Sequence, residues 1–530
     1  MRHGGARHVW IFAAILLSAR PQAVAQIGDK ASGARSVPST PAASALTAAR
    51  AFLEANDLER ARAGAEDVLA RDPTSADAHY LLGLVAERQK DLSAAARSFL
   101  GAIRHAPSMA EAHDRLGFVR GQQGETAEAL KEFALAVKIK PTLFDAQYHL
   151  GATRWWTKDL PGALTALKAA TALRPRHAEA RYYLGLTLEA LGQVGPAITS
   201  LREAVRLNPQ LAVAQSRLGV ALQARGDLEG AIRHLEAAVR VDSSSADSRN
   251  SLALALSQDG RGDEAVTLLR SLVQAQPAYV PARLNLGTAL MQQGDLAGAV
   301  SVYRALLERD PANAEAFYNL GVALKQMDEF AEAESQLRKA VQLDPGLPEA
   351  PYTLGVVLWQ TGRADEALEQ FREALRRKPD YAQAHYMSGT VLRQQGAMTD
   401  ALARFRDAVK YDPASAEAHR SLGQALKQTG EQAAGAMELA EAERLNQKIA
   451  AAQASTFAVS VGKQKVKAGD YGGAIEKFRE AVRLASENPQ AHYQLALALR
   501  HTGNVAEART HLAEARKLAP YLHAPGDEKP

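Results

Sequence analysis

The sequence predicts an all-α solenoid built from about fourteen 34-residue helix–turn–helix repeats. Three observations carry that expectation. Gly83, Gly117, Gly151, Gly185, Gly219, Gly287, Gly321, Gly355, Gly389 and Gly423 fall on one series of period 34, with Ala253 taking one turn and Ala49 extending it upstream. Gly462 and Ala496 restart the series after a slip of five residues. A fixed period of this length marks stacked units and not a single globular core. The second observation is a pair of further small positions. With repeats starting at Ala42, Ala76, Ala110, Phe144, Ala178, Ala212, Ala246, Val280, Ala314, Pro348, Ala382, Ala416, Ser455 and Pro489, position 20 is Ala in every repeat except Gly435, and position 27 is Ala in eleven of fourteen. Small residues at fixed offsets let two helices approach closely. The third is punctuation. A Gly seven residues after the small position 8 ends the first helix in ten repeats, and Pro at position 32 stops the second helix in eleven.

Taken in order, the elements are these. Residues 1–25 have a basic lead, a short apolar core (Val9–Leu17) and the small residues Ala23 and Ala25, the order of a secretory signal peptide. Nine apolar residues fall far short of the roughly 20 that span a bilayer. Residues 26–41, rich in Ala, Ser, Pro and Gly, read as a flexible linker. Twelve repeats follow over 42–449, then a register-breaking insertion at 450–454, two more repeats over 455–520 and a polar tail at 521–530. Within a repeat, Leu before position 8 and again after it (Leu184 and Leu188, Leu218 and Leu222) forms a helical stripe. An acid often follows the turn Gly (Glu125, Asp227, Asp295, Glu431, Asp470), where it suits the amino end of the next helix.

Two irregularities stand out. Gln447 replaces the Pro of repeat 12, and no Pro lies between Pro413 and Pro489. The helix beginning near Glu431 is therefore expected to run on past Lys448, and the insertion to rotate the last two repeats relative to the first twelve. The polar, Pro-free stretch Asp242 to Asn250 is expected to flex.

Repeats such as Ala314-Glu-Ala-Phe-Tyr-Asn-Leu-Gly-Val-Ala-Leu-Lys-Gln-Met-Asp-Glu-Phe-Ala-Glu-Ala resemble tetratricopeptide repeats, and the resemblance covers residues 42 to 520. It departs from the family most at position 4, where Trp is common and this chain has His79, His113, Gln147, Arg181, Phe317, His385, His419 or His492. The resemblance implies a right-handed superhelix whose inner face is lined by the first helix of each repeat, with peptides or partner helices as cargo. It also implies that positions 2, 5, 9, 12 and 13 project toward that face.

On this basis the candidate groove residues are Tyr80, Tyr148, Tyr182, Tyr318, Tyr352 and Tyr386 at position 5, with Gln292, Gln326, Gln360 and Gln394 at position 13. Trp155 and Trp156 occupy positions 12 and 13 of repeat 4, and Trp359 repeats the position-12 choice. Phenols offer contact area and carboxamides offer both donor and acceptor, a combination suited to an extended peptide. The alternative for each Tyr is packing against the neighbouring helix with only its hydroxyl exposed. Position 2 is mostly acidic (Asp77, Glu111, Asp145, Glu179, Asp247, Glu315, Glu349, Glu417).

Several function classes find no support. Three positive charges lie in the first 25 residues, and the remainder leaves 60 of the 63 Lys and Arg against 59 Asp and Glu. That balance gives no electrostatic case for nucleic acid or anionic lipid. There is no cysteine for a disulfide, a thiolate nucleophile or a Cys-ligated metal. The sequence has no phosphate-binding Gly loop, HExxH motif or serine elbow, and a ladder of one His per repeat does not converge on a metal. No catalytic residue, metal or cofactor is expected. The expected activity is a non-enzymatic scaffold, periplasmic or secreted, that binds peptides or partner proteins. The alternative is an accessory subunit of an exopolysaccharide or pilus export machine. A glycosyltransferase reading would need a partner subunit, since only ten residues follow the last repeat. Without a polar capping helix the final repeat is expected to end in an apolar face that needs a lid or a partner, and the C-terminal pair either to cap the solenoid or to pack against another copy.

Overall fold

The computed structural model describes residues 41–519. The signal segment, residues 26–40 of the linker, Pro520 and the 521–530 tail lie outside the described residues. Those described form 27 helices and no strand. Pro41, expected to close the linker, instead opens the first helix, Pro41–Glu54, where its missing N–H costs nothing. The chain divides into two compact units, Met1–Ala221 and Leu222–Pro530. Within each unit, helix pairs of the predicted repeat stack on one another.

The small positions pack as expected, and each has a defined counterpart. A Cβ on Gly355 would lie 2.6 Å from the Phe371 ring, one on Gly389 2.8 Å from Phe405, and one on Gly185 2.8 Å from Leu201. The residue at position 8 thus lies flat against the one sixteen residues later, and those rings and leucines are wholly buried: Phe371, Phe405 and Leu201 are all at 0%. Ala at position 20 sits in the same contact, since the Ala367 carbonyl oxygen closes the other side of Gly355 at 3.1 Å.

Position 15 turns the chain with positive φ in every repeat. It is Gly in ten (φ 81° at Gly226), and Asn56, Lys90, Lys158 or Asp328 in the other four at φ 60–68°. The residue after it caps the second helix when it is Asp. The Asp227 and Asp295 carboxylates each accept from a backbone N–H three residues on, at 2.9 Å. Glu125 and Glu329, one methylene longer, make no such bond.

Position 4 has a structural role that the repeat pattern alone does not reveal. His79, His113, His385 and His419 each bring Nε2 within 3.0–3.1 Å of the carbonyl oxygen of Pro73, Pro107, Pro379 and Pro413, respectively. Gln147 and Gln215 donate to the Pro141 and Pro209 oxygens at 3.0 and 3.1 Å, and Arg181 and Arg283 reach Pro175 and Pro277 likewise. A side-chain donor at position 4 therefore ties each of these eight repeats to the position-32 carbonyl of the one before, whereas Arg249 turns to the Ser271 hydroxyl instead. This is why His, Gln and Arg interchange there. His113 adds a second bond, Nδ1 to the Glu132 carboxylate at 2.6 Å, and that bond holds its pKa above the ordinary value. A raised folded pKa contributes stability that is fully present below the unfolded value of about 6.5 and lost as pH rises through the folded one. His113→Gln keeps a donor for Pro107, so it is expected to cost about 1 kcal/mol at pH 5.5 and to converge on the wild type as pH rises. Urea unfolding at several pH values measures this; a constant difference across the range excludes the Glu132 bond as its source.

The expected flexible stretch is an ordered turn. The Asp242 carboxylate accepts from the Ser244 N–H at 3.0 Å, as Asp72 does from Thr74 at 3.0 Å in a turn that contains Pro73. The Asx bond closes the turn without proline. The long helix is present. Gln432–Lys467 runs unbroken for 36 residues through the insertion. Its first part packs on repeat 12, where Gly423 meets Leu439, and its last part on the second helix of repeat 13, where Gly462 meets Phe478.

Candidate binding surface

The first helices carry the candidate residues, and the structure sorts them into three kinds. The tyrosines at position 5 lie against their neighbours. Tyr148 is only 4% exposed and belongs to the core beside Phe144 and Leu150, so it offers no open surface. Tyr80 is half-buried with its ring 5.7 Å from Phe99, and burial pushes its hydroxyl up to about 12. Tyr386 sits 6.1 Å from Phe405, and Tyr352 lies between Phe371 at 6.0 Å and Tyr381 at 5.1 Å. Burial raises the Tyr318 and Tyr352 hydroxyls as well.

The glutamines behave differently. Gln292, Gln326, Gln360 and Gln394 are all exposed. Gln394 is not independent, because its Oε1 accepts the Trp359 indole N–H at 2.8 Å. Gln223 donates to Gln258 at 3.1 Å in the same relation, position 12 of one repeat to position 13 of the next. Trp359 is thus half-buried and already engaged.

The third kind is an aromatic ledge in the unit ending at Ala221. Trp155 lies 6.2 Å from Trp156 and meets the Tyr183 ring edge-on at 5.8 Å, with Tyr182 a further 5.3 Å from Tyr183. The Lys158 ammonium sits 5.6 Å over the Trp155 ring. Trp156 is the exposed member at 43%. Adjacent tryptophans on a helix point apart, so one supports and the other faces water. Burial pushes the Tyr182 hydroxyl up to about 12.

Position 6, which sequence reasoning passed over, completes this surface. Arg115 pairs with Glu87 at 3.3 Å and Arg217 with Glu189 at 2.6 Å, each from position 6 to position 12 of the preceding repeat. Tyr183 uses the same relation to reach Trp155. His149 Nδ1 lies 2.8 Å from the Asp114 carboxylate, and Asn285 donates to Asn250 at 2.8 Å. Burial raises the Glu87 pKa, and its Oε2 is a buried oxygen without a hydrogen-bond partner. The signal that could have found the two Arg–Glu pairs is charge alternation at an offset of 28 residues; the His149–Asp114 and Asn285–Asn250 pairs are 35 residues apart. The acids of position 2 lie away from it. Glu111 pairs with Lys140 at 2.8 Å, Asp145 with Arg174 at 3.4 Å, and Asp247 accepts from the Tyr279 hydroxyl at 2.6 Å.

The second helices carry a separate hollow of about 760 Å³ lined by Glu369, Arg372, Glu373, Arg376 and Arg404. Among the described residues no three His, Asp or Glu side chains converge as metal ligands. No helix there is long and apolar enough to cross a membrane.

Stacked helix pairs with paired side chains along one face define a repeat scaffold for protein interactions. The chain belongs to the tetratricopeptide repeat family, which matches residues 46–110, 157–212, 216–280, 284–348, 352–415, 398–454 and 462–523. None of the curated proteins matches it. Among solved structures, MamA is 26% identical over 31% of this chain and 96% of its own, with a TM-score of 0.29. The Cut9 chain of an APC/C Cut9–Hcn1 hetero-tetramer is 16% identical over 84% of this chain and 94% of that one, with a TM-score of 0.36. A chain of Naa15/Naa10 bound to HypK is 14% identical over 91% and 94%, with a TM-score of 0.30.

Proposed function

We propose that this protein is a non-enzymatic scaffold outside the cytoplasm, holding an extended segment of a partner protein along its first-helix face. The aromatic ledge carries the reading. Trp156 is exposed beside a tyrosine–tryptophan cluster, and the Arg115–Glu87 and Arg217–Glu189 pairs lie in the repeats on either side of it. Indole and phenol anchors of this kind dominate peptide and protein recognition because they bury large area at low entropic cost. Export rests on the basic-apolar-small order of residues 1–25.

Crosslinking capture from the native envelope is the test. Trp156→Ala is expected to weaken the captured partner's binding about 30-fold, the effect of removing an anchor worth roughly 2 kcal/mol. Capture unaffected by the substitution would sink the ledge as the binding site. The export-machine alternative separates in a titration with envelope polysaccharide. Once residues 1–25 are removed, three of the four tryptophans remain, namely Trp155, Trp156 and Trp359. Their fluorescence therefore reports mainly on this face. A polysaccharide-dependent change lost in Trp155→Ala would favour the alternative.

A further inference from the structure

The long helix Gln432–Lys467 joins the second helix of repeat 12 to the first helix of repeat 13 without a turn. Elsewhere those two elements lie side by side. Leu402 and Val409, at positions 21 and 28, pack against Leu422 and Leu426 of the next repeat, and Ile475 and Val482 against Ala491 and Leu495. The straight helix forgoes this contact, and both halves of it are left uncovered. Ala436, Ala440 and Glu443 from the repeat-12 half, and Ala450, Ala454 and Phe457 from the repeat-13 half, are all exposed. With Gln447 and Val461 they recur at alternating spacings of four and three, one stripe along one side of the helix.

The residues on this stripe are exchanged relative to most other junctions, although Ala96 and Ala134 stand singly at positions 21 and 25 of repeats 2 and 3. Position 3 is Ala in eleven repeats and Ser in two (Ser44 and Ser248), but Phe457 in repeat 13, where it is 71% exposed. Across the junction the change runs the other way. Position 21 is Leu, Ile or Val in most repeats and Ala436 in repeat 12, while position 25 is Arg270, Arg304, Arg338, Arg372 and Arg406 in repeats 7 to 11 and then Ala440. One side has gained a ring and the other has lost side chains. Met437 and Ile449 on the same helix are exposed as well, at 74% and 47%, so Phe457 is one of three large apolar side chains that this helix leaves uncovered and not a single scattered one.

We infer that a second copy of this chain docks on the stripe, its long helix antiparallel to the first, so that each copy supplies the stacking contact the other lacks. Helices joined by short turns run antiparallel, so the ordinary contact between a second helix and the next first helix is itself antiparallel. The long helix is one of each, end to end. Reversed on itself about a two-fold axis between Lys448 and Ile449, it sets Phe457 opposite Ala440 of the partner and Val461 opposite its Ala436. Large faces small at both ends of a seam about 38 Å long. This is an exchange of identical elements between copies, with the straightened 450–454 segment as the open hinge.

The chain has no cysteine, so Ala440→Cys with Phe457→Cys places its only two thiols. They lie 17 residues apart on one helix, about 25 Å, too far for a bridge within a straight chain. Mild oxidation is expected to give covalent dimers. Light scattering on the unsubstituted chain at tens of micromolar should give twice the chain mass. Phe457→Arg should return the single-chain mass with unchanged helical circular dichroism. An intrachain bridge would mean that the hinge folds back, and would overturn the proposal. So would an unsubstituted chain that stays monomeric, or a Phe457→Arg variant that stays dimeric.

Discussion

Gly355→Ala is expected to destabilise the protein by about 1–3 kcal/mol, and Gly355→Leu by more, because the added atoms enter a contact already closed from two sides. The Phe371 ring would stand 2.6 Å from the new Cβ and the Ala367 carbonyl oxygen 3.1 Å from it. The ring is wholly buried and has no open space to rotate into. The chain supplies its own control. Three repeats carry Ala at this position (Ala49, Ala253 and Ala496), and sixteen residues on they have Ala65, Leu269 and Leu512, never an aromatic ring. Combining Gly355→Ala with Phe371→Leu should therefore cost less than the sum of the single changes, by about 1 kcal/mol or more. Urea unfolding of the four proteins measures the cycle. Additive losses would show that ring and glycine do not compete for the same space.

Ala452→Pro is expected to cost about 3 kcal/mol of local stability and to open the long helix to protease. Ala452 is exposed, so no packing is lost, and the effect isolates the backbone. Proline removes one N–H and clashes with the carbonyl of Lys448 four residues back. Ala452→Gly, which keeps the N–H, should cost about 1 kcal/mol. Limited proteolysis with mass spectrometry should find cuts between 445 and 455 in the proline variant and protection there in the parent. Equal cutting in both would contradict an unbroken helix through the insertion.

The elements of this fold are legible in the sequence because each is set by local rules. Gly226 turns the chain, Asp227 caps the next helix and Pro209 ends the last helix of the preceding repeat, each within a few residues. The long helix can be foreseen from a missing proline for the same reason. The candidate surface is less legible. Its residues act on others about one repeat away, such as Glu87 on Arg115 and Trp155 on Tyr183. Periodicity tells which residues share a column but not toward which neighbour a column leans. The pattern therefore puts Tyr148 on the face when its ring belongs to the core, and gives no sign that His113 ties two repeats together. The final repeat, expected to end in an apolar face, is also charged. Its positions 21 and 28 are Arg509 and Arg516, so the charge that a separate capping helix would bring is already on the repeat itself.

The position-4 tie has a mechanical consequence. Repeat 9 has Phe317 in that place and repeat 10 has Pro351, and neither side chain can donate a hydrogen bond. Phe317 instead lies under the Lys339 ammonium at 5.1 Å. Two successive joints therefore lack this tie and are crossed instead by surface ion pairs, Arg304 with Glu332 at 2.8 Å and Arg363 with Glu334 at 2.7 Å, while Arg377 reaches the Leu347 carbonyl at 3.0 Å across the second. Salt screens an ion pair at the surface, whereas it leaves a hydrogen bond to a backbone carbonyl largely unchanged. Under tension along the chain, these two joints would yield more readily as the ionic strength rises, and the joints tied through position 4 would not.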